Sequence, residues 1–136
     1  IINVPDESEE NLYINAGRTV DKAVSLLDLY PTLMDILDLK PLHQLDGRSL
    51  FPLIQQPDLA WDHPVIVARS PHEIAVRSNR WRYIRYAKGG EELYEYIGDP
   101  DELINLAANS ARNAIKQELQ TYMPANVRER VPNSTN

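Results

Sequence analysis

Six basic side chains within a stretch of twenty residues could together bind an anion. They are Arg69, Arg77, Arg80, Arg82, Arg85 and Lys88, and Glu73 is the acidic residue among them. Guanidinium groups form charge-assisted, often paired hydrogen bonds with sulfate, phosphate and carboxylate groups. The stretch therefore predicts a positive surface in a chain whose formal net charge is -6. In the alternative interpretation the arginines have a structural role and pair with Glu91, Glu92 and Glu95 across a hairpin.

One histidine lies inside this basic stretch. His72 belongs to "ARSPHEIAVR", which reads as two strands joined by a turn, and turn residues contact ligands more often than core residues do. An imidazole at the turn could donate a hydrogen bond to a sulfate oxygen or a sugar hydroxyl. We predict that His72, Arg69 and Arg77 bind an anionic substrate. His43 and His63 lie near prolines without carboxylates at ligand spacing, so the sequence predicts no metal site.

Composition excludes several kinds of chemistry. The chain has no cysteine, so it can form no disulfide and offers no thiolate as a nucleophile or metal ligand. Its negative net charge argues against broad binding to nucleic acid or to a membrane surface. No apolar run approaches the roughly 18 residues that a membrane-spanning helix needs. Trp81, Tyr83 and Tyr86 could stack on sugar rings, but their alternation is more typical of core and cross-strand pairs.

The elements that must position these side chains are short strands. Four segments are rich in β-branched and aromatic residues and are separated by turn signals. They are "VIVARS" from Val65, "EIAVRS" from Glu73, "RWRYIRYA" from Arg80 and "EELYEYI" from Glu91. Because the connections are short, consecutive strands are expected to pair antiparallel.

Two helices are expected on either side of these strands. In residues 20–39 an apolar face of Leu29, Leu33, Ile36 and Leu37 recurs at helical spacing. Its start is either a Ser25 capping box that uses Asp28 or, as we prefer, Asp28 as the cap with Pro31 in the first turn.

The second helix follows the last strand. It is expected after a cap at Asn109 or Ser110, and its apolar stripe would cover the sheet. The stripe comprises Ala111, Ile115, Leu119 and Tyr122, with Leu103 and Leu106 beginning the packing ahead of it. The predicted fold class is therefore α+β: a small four-stranded antiparallel sheet packed against a C-terminal helix, preceded by a helix-and-loop segment.

Three motifs in order give the chain a family resemblance. They are "VSLLDLYPTLMDILDL", "LDGRSLFPLI" and "AVRSNRWRYIRYAKGGEELYEYIGDPDELINLA". Together they resemble the carboxy-terminal portion of formylglycine-dependent (type I) sulfatases, of which an iduronate-2-sulfatase-like member is one expectation. The matching positions are Asp28, Tyr30, Pro31, Thr32, Leu33, Asp46, Gly47, Ser49, Leu50, Glu92, Leu93, Tyr94, Asp99, Pro100, Glu102, Asn105 and Leu106. Asp38 stands where the family usually has a helix-ending glycine, and Glu95 replaces the usual aspartate.

The resemblance implies a division of labour between this chain and a longer parent. Residues 1–56 would be the tail of a catalytic α/β domain, 57–123 the C-terminal subdomain and 124–136 a flexible tail. The catalytic residues, the formylglycine and a calcium ion would belong to the parent upstream, so this chain would be an inactive scaffold and pocket rim with no catalytic or metal-binding residue of its own.

The resemblance also implies partners and a location. The partners would be the upstream catalytic domain and an anionic sulfated substrate, with self-association possible through the exposed helix face. The location would be periplasmic or secreted, or lysosomal in a eukaryote. The alternative is a stand-alone interaction or carbohydrate-binding module that uses the basic hairpin.

Overall fold

The computed structural model describes residues 2, 15, 17–125 and 127. The chain divides into two compact units, Ile1–Trp61 and Asp62–Asn136. The division follows Trp61 because its indole packs with Leu50 and Leu53 in the core of the first unit. Most of the tail expected at 124–136 lies outside the described residues. The expected assignment of 1–56 and 57–123 to two domains of a longer parent stays a prediction.

The first unit contains two short helices. A 3-10 turn at Leu26–Asp28 runs directly into α1, Leu29–Ile36, and α2 follows at Phe51–Gln55. The Ser25 side chain accepts from the backbone of the turn while the Asp28 carboxylate accepts from the Ser25 N–H at 2.7 Å. This capping box corrects our preferred start, because the Asp28 side chain makes no cap hydrogen bond to α1. The carboxylate points back to Ser25 instead.

The end of α1 is closed by a residue in the left-handed region. Asp38 has φ +51°, and the Leu39 N–H donates to the Met34 carbonyl at 2.8 Å, five residues back. This is the Schellman pattern in which glycine is the usual residue. The expectation that Asp38 serves as a left-handed cap in place of glycine is confirmed.

The second unit is built on a four-stranded antiparallel meander in the order β1-β2-β3-β4. The strands are β1 Val65–Ser70, β2 Glu73–Arg77, β3 Trp81–Arg85 and β4 Glu91–Glu95. The register pairs Val76 with Tyr83, and Tyr83 with Leu93. These three side chains therefore share one face of the sheet, and all three are fully buried. The predicted strands and the predicted fold class are confirmed.

A C-terminal helix covers this face of the sheet. A 3-10 turn at Ser110–Arg112, capped by the Asn109 side chain, leads into α3, Asn113–Thr121. Leu119 is buried against the sheet, and Ile115 and Met123 pack beside it.

Three residues that were expected to pack on the sheet are exposed instead. Ala111 is exposed because the 3-10 turn has fewer residues per turn than an α-helix and shifts the phase ahead of α3, and Tyr122 is exposed at the end of that helix. Leu103 is 80% exposed, whereas Leu106 does join the core as expected.

Candidate functional site

The predicted substrate-binding residues lie in two places. Arg69 lies near the end of β1 and His72 in the β1–β2 turn; both are exposed, and Arg69 pairs with Glu73 at 3.6 Å. Arg77 ends β2, five residues beyond His72, which at about 3.3 Å per residue places it roughly 16 Å away. The structure thus brings Arg69 and His72 together and separates Arg77 from them.

Arg77 instead joins a second group of charged residues at the opposite end of the sheet. We call this group the arginine end. It consists of Arg77, Arg80, Arg82, Arg112, Glu95 and Glu102. The four arginines come from the end of β2, the β2–β3 turn, the start of β3 and the 3-10 turn before α3. Each glutamate bridges two arginines.

Glu102 bridges the two arginines that face each other across β2 and β3. Arg77 and Arg82 are register partners, so their side chains lie on the same face of the sheet, opposite α3. Arg77 donates to Glu102 Oε1 at 3.1 Å and Arg82 donates to Oε2. The Arg77 guanidinium also lies 4.7 Å from the centroid of the Tyr96 ring. Glu102 has φ +55°, a conformation that costs a non-glycine residue about 1 kcal/mol or more.

Glu95 bridges the other two arginines on the α3 side. Arg80 donates to Glu95 through Nε at 2.8 Å, and Arg112 lies 3.6 Å from the second carboxylate oxygen. Both guanidinium carbons are 5.3 Å from the centroid of the Trp81 ring. Arg112 Nε is buried without a hydrogen-bond partner among the described residues. The Trp81 ring gives the Arg112 guanidinium group as a whole a cation–π contact.

The structural interpretation of the basic stretch holds in part. Glu95 does pair with an arginine of the hairpin, as expected, but Glu91 pairs with Lys116 of α3 at 3.1 Å. Sequence reasoning missed Glu102 and Arg112 as partners, because they lie in the β4–α3 connection and at the start of the last helix. The signal that could have found Glu102 is its place in the Asp-Pro-x-Glu motif.

A polar network joins α3 to the sheet. The Tyr83 hydroxyl donates to Glu91, Gln120 donates to the Tyr83 oxygen at 2.7 Å, and Lys116 donates to Glu91 at 3.1 Å. The hydrogen bond from Tyr83, and after it the one from Lys116, lowers the pKa of Glu91. Burial, and after it the hydrogen bond to Glu91, raises the pKa of Tyr83. The network favours a carboxylate and a neutral phenol at neutral pH.

A second carboxylate holds two tyrosines on the opposite face. The hydrogen bond to Glu92 is the main cause that raises the pKa of Tyr86. Burial, followed by the hydrogen bond to Glu92, raises the pKa of Tyr94. Both phenols therefore stay protonated at neutral pH and are hydrogen-bond donors to Glu92 rather than proton acceptors.

The family motif after β4 closes one edge of the sheet. Asp99 accepts from the Leu103 and Ile104 N–H groups at 2.9 and 2.8 Å, which fixes the turn. The Asn105 side-chain oxygen accepts from the Leu93 N–H at 3.1 Å, and the Leu106 N–H donates to the Leu93 carbonyl at 2.7 Å. These hydrogen bonds pair backbone groups of the edge strand β4 that would otherwise have no partner within the sheet.

The motif residues of the first unit tie a loop to α1. The Asp28 carboxylate accepts from the Arg48 N–H at 2.9 Å, and Thr32 Oγ1 accepts from the Leu50 N–H at 2.8 Å. Gly47 lies so close to the 3-10 turn that a Cβ built on it would be 2.0 Å from the Leu27 carbonyl oxygen. The shared residues of both motifs therefore act as structural ties in this chain.

The described residues contain no donor set for a metal ion. No three or more histidine, aspartate or glutamate side chains converge there in a way that could hold one. A calcium ion of the expected parent therefore does not fit the described part of this chain. The sequence also contains no Cys/Ser-x-Pro-x-Arg motif, from which a formylglycine would be made. Within the described range no helix has the length and apolarity needed to span a bilayer.

Comparison with known proteins places these features in a family. A model of the family described as "N-sulphoglucosamine sulphohydrolase, C-terminal" matches residues 10–129. Arylsulfatase K of Homo sapiens is 35% identical over 109 residues, which cover 69% of this chain and 20% of that protein. The chain spans about a fifth of the length of the curated relatives it matches.

Two solved structures share the fold. The phosphonate monoester hydrolase of Agrobacterium radiobacter is 27% identical, with a TM-score of 0.62 over 78% of this chain and 25% of that one. A structure described as a 2-O GAG sulfatase is 28% identical, with a TM-score of 0.56 over 70% of this chain and 22% of that one.

Proposed function

Since this chain belongs to the family of N-sulphoglucosamine sulphohydrolase C-terminal domains, we propose that it serves an enzyme that hydrolyses sulfate esters of a sulfated carbohydrate. The main support for this proposal is the family match over residues 10–129. In addition, the chain covers only about a fifth of the length of each relative. Family membership does not favour the alternative of a stand-alone carbohydrate-binding module.

Within that enzyme the chain acts as a scaffold and as a rim of the substrate pocket. Its motif residues are engaged in structural ties: Asp28, Thr32, Asp99 and Asn105 hold loops, and Glu102 holds two arginines. A nucleophile, a formylglycine and a calcium ion would be supplied by the part of the enzyme upstream. We expect no turnover from this chain alone.

The proposed substrate is a glycosaminoglycan sulfated at a 2-O position. Support comes from the 28% identical structure described as a 2-O GAG sulfatase, and it agrees with the expectation of an iduronate-2-sulfatase-like member. The proposed location is a secreted, periplasmic or lysosomal compartment, as the resemblance implies.

The β1–β2 turn is the part of the chain that we propose for the pocket rim. Arg69, near the end of β1 beside this turn, and His72, within the turn, are both exposed and lie close in sequence, so both can face one anionic group. Among the described residues Arg69 pairs with Glu73 alone, at 3.6 Å, and its side chain is 86% exposed. A pair this exposed contributes little to stability, so a substrate group could replace it. Arg77, the third predicted residue, belongs to the arginine end.

The proposed partner is the upstream catalytic domain, and it would bind to the exposed apolar surface of α1. Leu29, Leu33 and Leu37 are each more than two fifths exposed although they recur on one helical face. A helix in a globular protein normally buries such a face. In the absence of the partner, the same surface favours self-association.

The test compares the natural gene product with the 136-residue chain. Intact mass spectrometry of the product from its source is expected to give a mass several times that of the chain, with a Cys/Ser-x-Pro-x-Arg peptide upstream. The long product should release sulfate from a 2-O-sulfated uronate disaccharide and the chain should not. Turnover by the chain alone, or a natural product no longer than the chain, would reject the proposal.

A second candidate reaction is the hydrolysis of phosphonate monoesters. It is favoured by the 27% identical hydrolase of that class, whose TM-score of 0.62 exceeds that of the 2-O GAG sulfatase. The same long product assayed with a phenylphosphonate monoester and with an aryl sulfate distinguishes the two. A higher kcat/KM for the phosphonate would favour the second candidate.

A further inference from the structure

We infer that the arginine end binds sulfate groups, one at each of its two glutamate-bridged arginine pairs. The inference rests on the proposed function for the class of ligand, but its geometry is independent of that function. Charge, unused hydrogen-bond donors and the rigidity of the guanidinium groups each support it.

The arginine end has an excess of positive charge. Its six side chains carry four positive and two negative charges, in a chain whose formal net charge is -6. Each glutamate can neutralise only one of the two arginines that it bridges. The side chains of Arg77, Arg80, Arg82 and Arg112 are 39%, 56%, 38% and 37% exposed, so an ion from solvent can reach them.

Most N–H groups of these arginines are not used by the described residues. A guanidinium carries five N–H donors. Arg77 and Arg82 each give one hydrogen bond to Glu102, and Arg80 gives two to Glu95. The Arg112 guanidinium makes no hydrogen bond to the described residues, and it contacts Glu95 at the longer distance of 3.6 Å and the Trp81 ring. The remaining donors match the several acceptor oxygens of a tetrahedral oxyanion.

The guanidinium groups are already held in place. The glutamates fix Arg80 and Arg112 on one face of the sheet and Arg77 and Arg82 on the other, and the rings of Trp81 and Tyr96 lie under three of the four. A side chain that is ordered before binding loses less conformational entropy when a ligand arrives. The same glutamates that reduce the charge therefore also prepare the donors.

The shared chemistry of the ligand is a sulfate group, which has two sources. It can be borne by a sulfated glycan chain, or it can be free inorganic sulfate released by the proposed reaction. A glycan with several sulfates would contact both bridged pairs and bind more tightly than the free ion, because the second contact becomes intramolecular.

The test measures binding to the full 136-residue chain. The probes are a fluorescent heparin hexasaccharide, the same hexasaccharide after chemical desulfation, and sodium sulfate as competitor. We expect the sulfated probe alone to bind, with an affinity that falls as salt rises. The double variant Arg80→Gln, Arg112→Gln should lose about a hundredfold in affinity, roughly tenfold for each charge-assisted contact.

A matched control separates a site from a general charge effect. The double variant Lys40→Gln, Lys88→Gln removes the same charge from exposed positions outside both proposed sites and should bind within about twofold of the unchanged chain. Equal loss in both variants, or no binding by the unchanged chain, overturns the inference. If sodium sulfate binds and the sulfated probe does not, the source is the free ion.

A third variant keeps the test decisive if Arg112 is needed for folding. Glu95→Gln retains every arginine and an amide oxygen that can still accept from Arg80, and it removes one negative charge, so it should bind the sulfated probe severalfold more tightly. Unchanged or weaker binding by this variant, with the near-ultraviolet spectrum of Trp81 preserved, overturns the inference. If the long product hydrolyses sulfate esters but the chain does not bind the sulfated probe, only the inference about the arginine end is rejected. If the chain binds the probe but the long product has no sulfatase activity, only the proposed function is rejected.

Discussion

Gly47 stands at a position where no side chain fits. A Cβ there would meet the Leu27 carbonyl oxygen at 2.0 Å and the Leu27 carbonyl carbon at 2.5 Å, and both atoms are backbone. We expect Gly47→Ala to lower the free energy of unfolding by about 3 kcal/mol, because the loop must move away from the 3-10 turn. Urea unfolding of the chain measures this. Gly98→Ala, which meets nothing within 4 Å, is the control and should change little.

Asp38 gives the opposite expectation. Its φ of +51° is strained for a residue with a Cβ, and glycine removes that strain. Asp38→Gly should therefore raise the free energy of unfolding by about 0.5 to 1 kcal/mol. Glycine also gives the unfolded chain more conformational entropy, which reduces this gain. Asp35→Gly within α1 is the matched control and should lower it slightly. A loss of stability in Asp38→Gly would contradict the proposed role of the left-handed cap.

Some residues of the arginine end were within reach of sequence reasoning and others were not. Arg77 was predicted because it belongs to the basic stretch, and Glu95 because it follows from hairpin pairing. Glu102 lies 25 residues from Arg77, and Arg112 joins Glu95 only after the chain has crossed to the other face of the sheet. Pairs of this kind depend on the path of the β4–α3 connection, which no local periodicity specifies.

At the scale of elements, strands were easier to predict than the phase of the helix. β1 and β2 follow directly from runs of β-branched residues between turn signals, and their predicted starts at Val65 and Glu73 are confirmed. Ala111 does not join the predicted apolar stripe of α3, because the helix begins with a 3-10 turn that has fewer residues per turn. The sequence pattern does not predict this turn.

The attachment of α3 to the sheet should weaken in acid. The pKa of Glu91 is lowered in the folded chain from an ordinary value of 4.5, so the folded state favours the carboxylate. The stabilisation is present above the ordinary pKa and is lost as the pH falls below about 4.5 through the folded pKa. We expect Glu91→Gln to be less stable at neutral pH and to show a flatter loss of stability in acid.

Thermal unfolding between pH 3 and 7 tests this expectation. Glu118→Gln changes an exposed glutamate on the same helix and is the matched control. Glu118→Gln should lose stability in acid to the same extent as the unchanged chain. The same loss in Glu91→Gln would show that the Tyr83 and Lys116 contacts do not act through this carboxylate.

At the scale of the whole molecule, the apolar surface of α1 should govern association. Leu33 is 54% and Leu37 is 62% exposed, and exposed leucines on one helical face favour contact with another copy. We expect sedimentation of the chain to show dimers or larger species at high concentration. Leu33→Gln combined with Leu37→Gln should restore the monomer.

The control for association is Leu103→Gln. Leu103 is more exposed than either α1 leucine, at 80%, but it belongs to the β4–α3 connection of the second unit. Its replacement should leave association unchanged. A monomeric unchanged chain at every concentration would contradict the role given to the α1 surface.

The strand order of the second unit has a consequence for how it folds. Because every strand pairs with the next one along the chain, most sheet contacts join residues close in sequence. Such a low contact order predicts that the sheet forms quickly, hairpin by hairpin. The contacts of Lys116 with Glu91 and of Gln120 with Tyr83 span 25 and 37 residues, so docking of the last helix would be the later event. Because the strands precede that helix in the chain, they leave the ribosome first, and the meander is expected to form before the helix can dock.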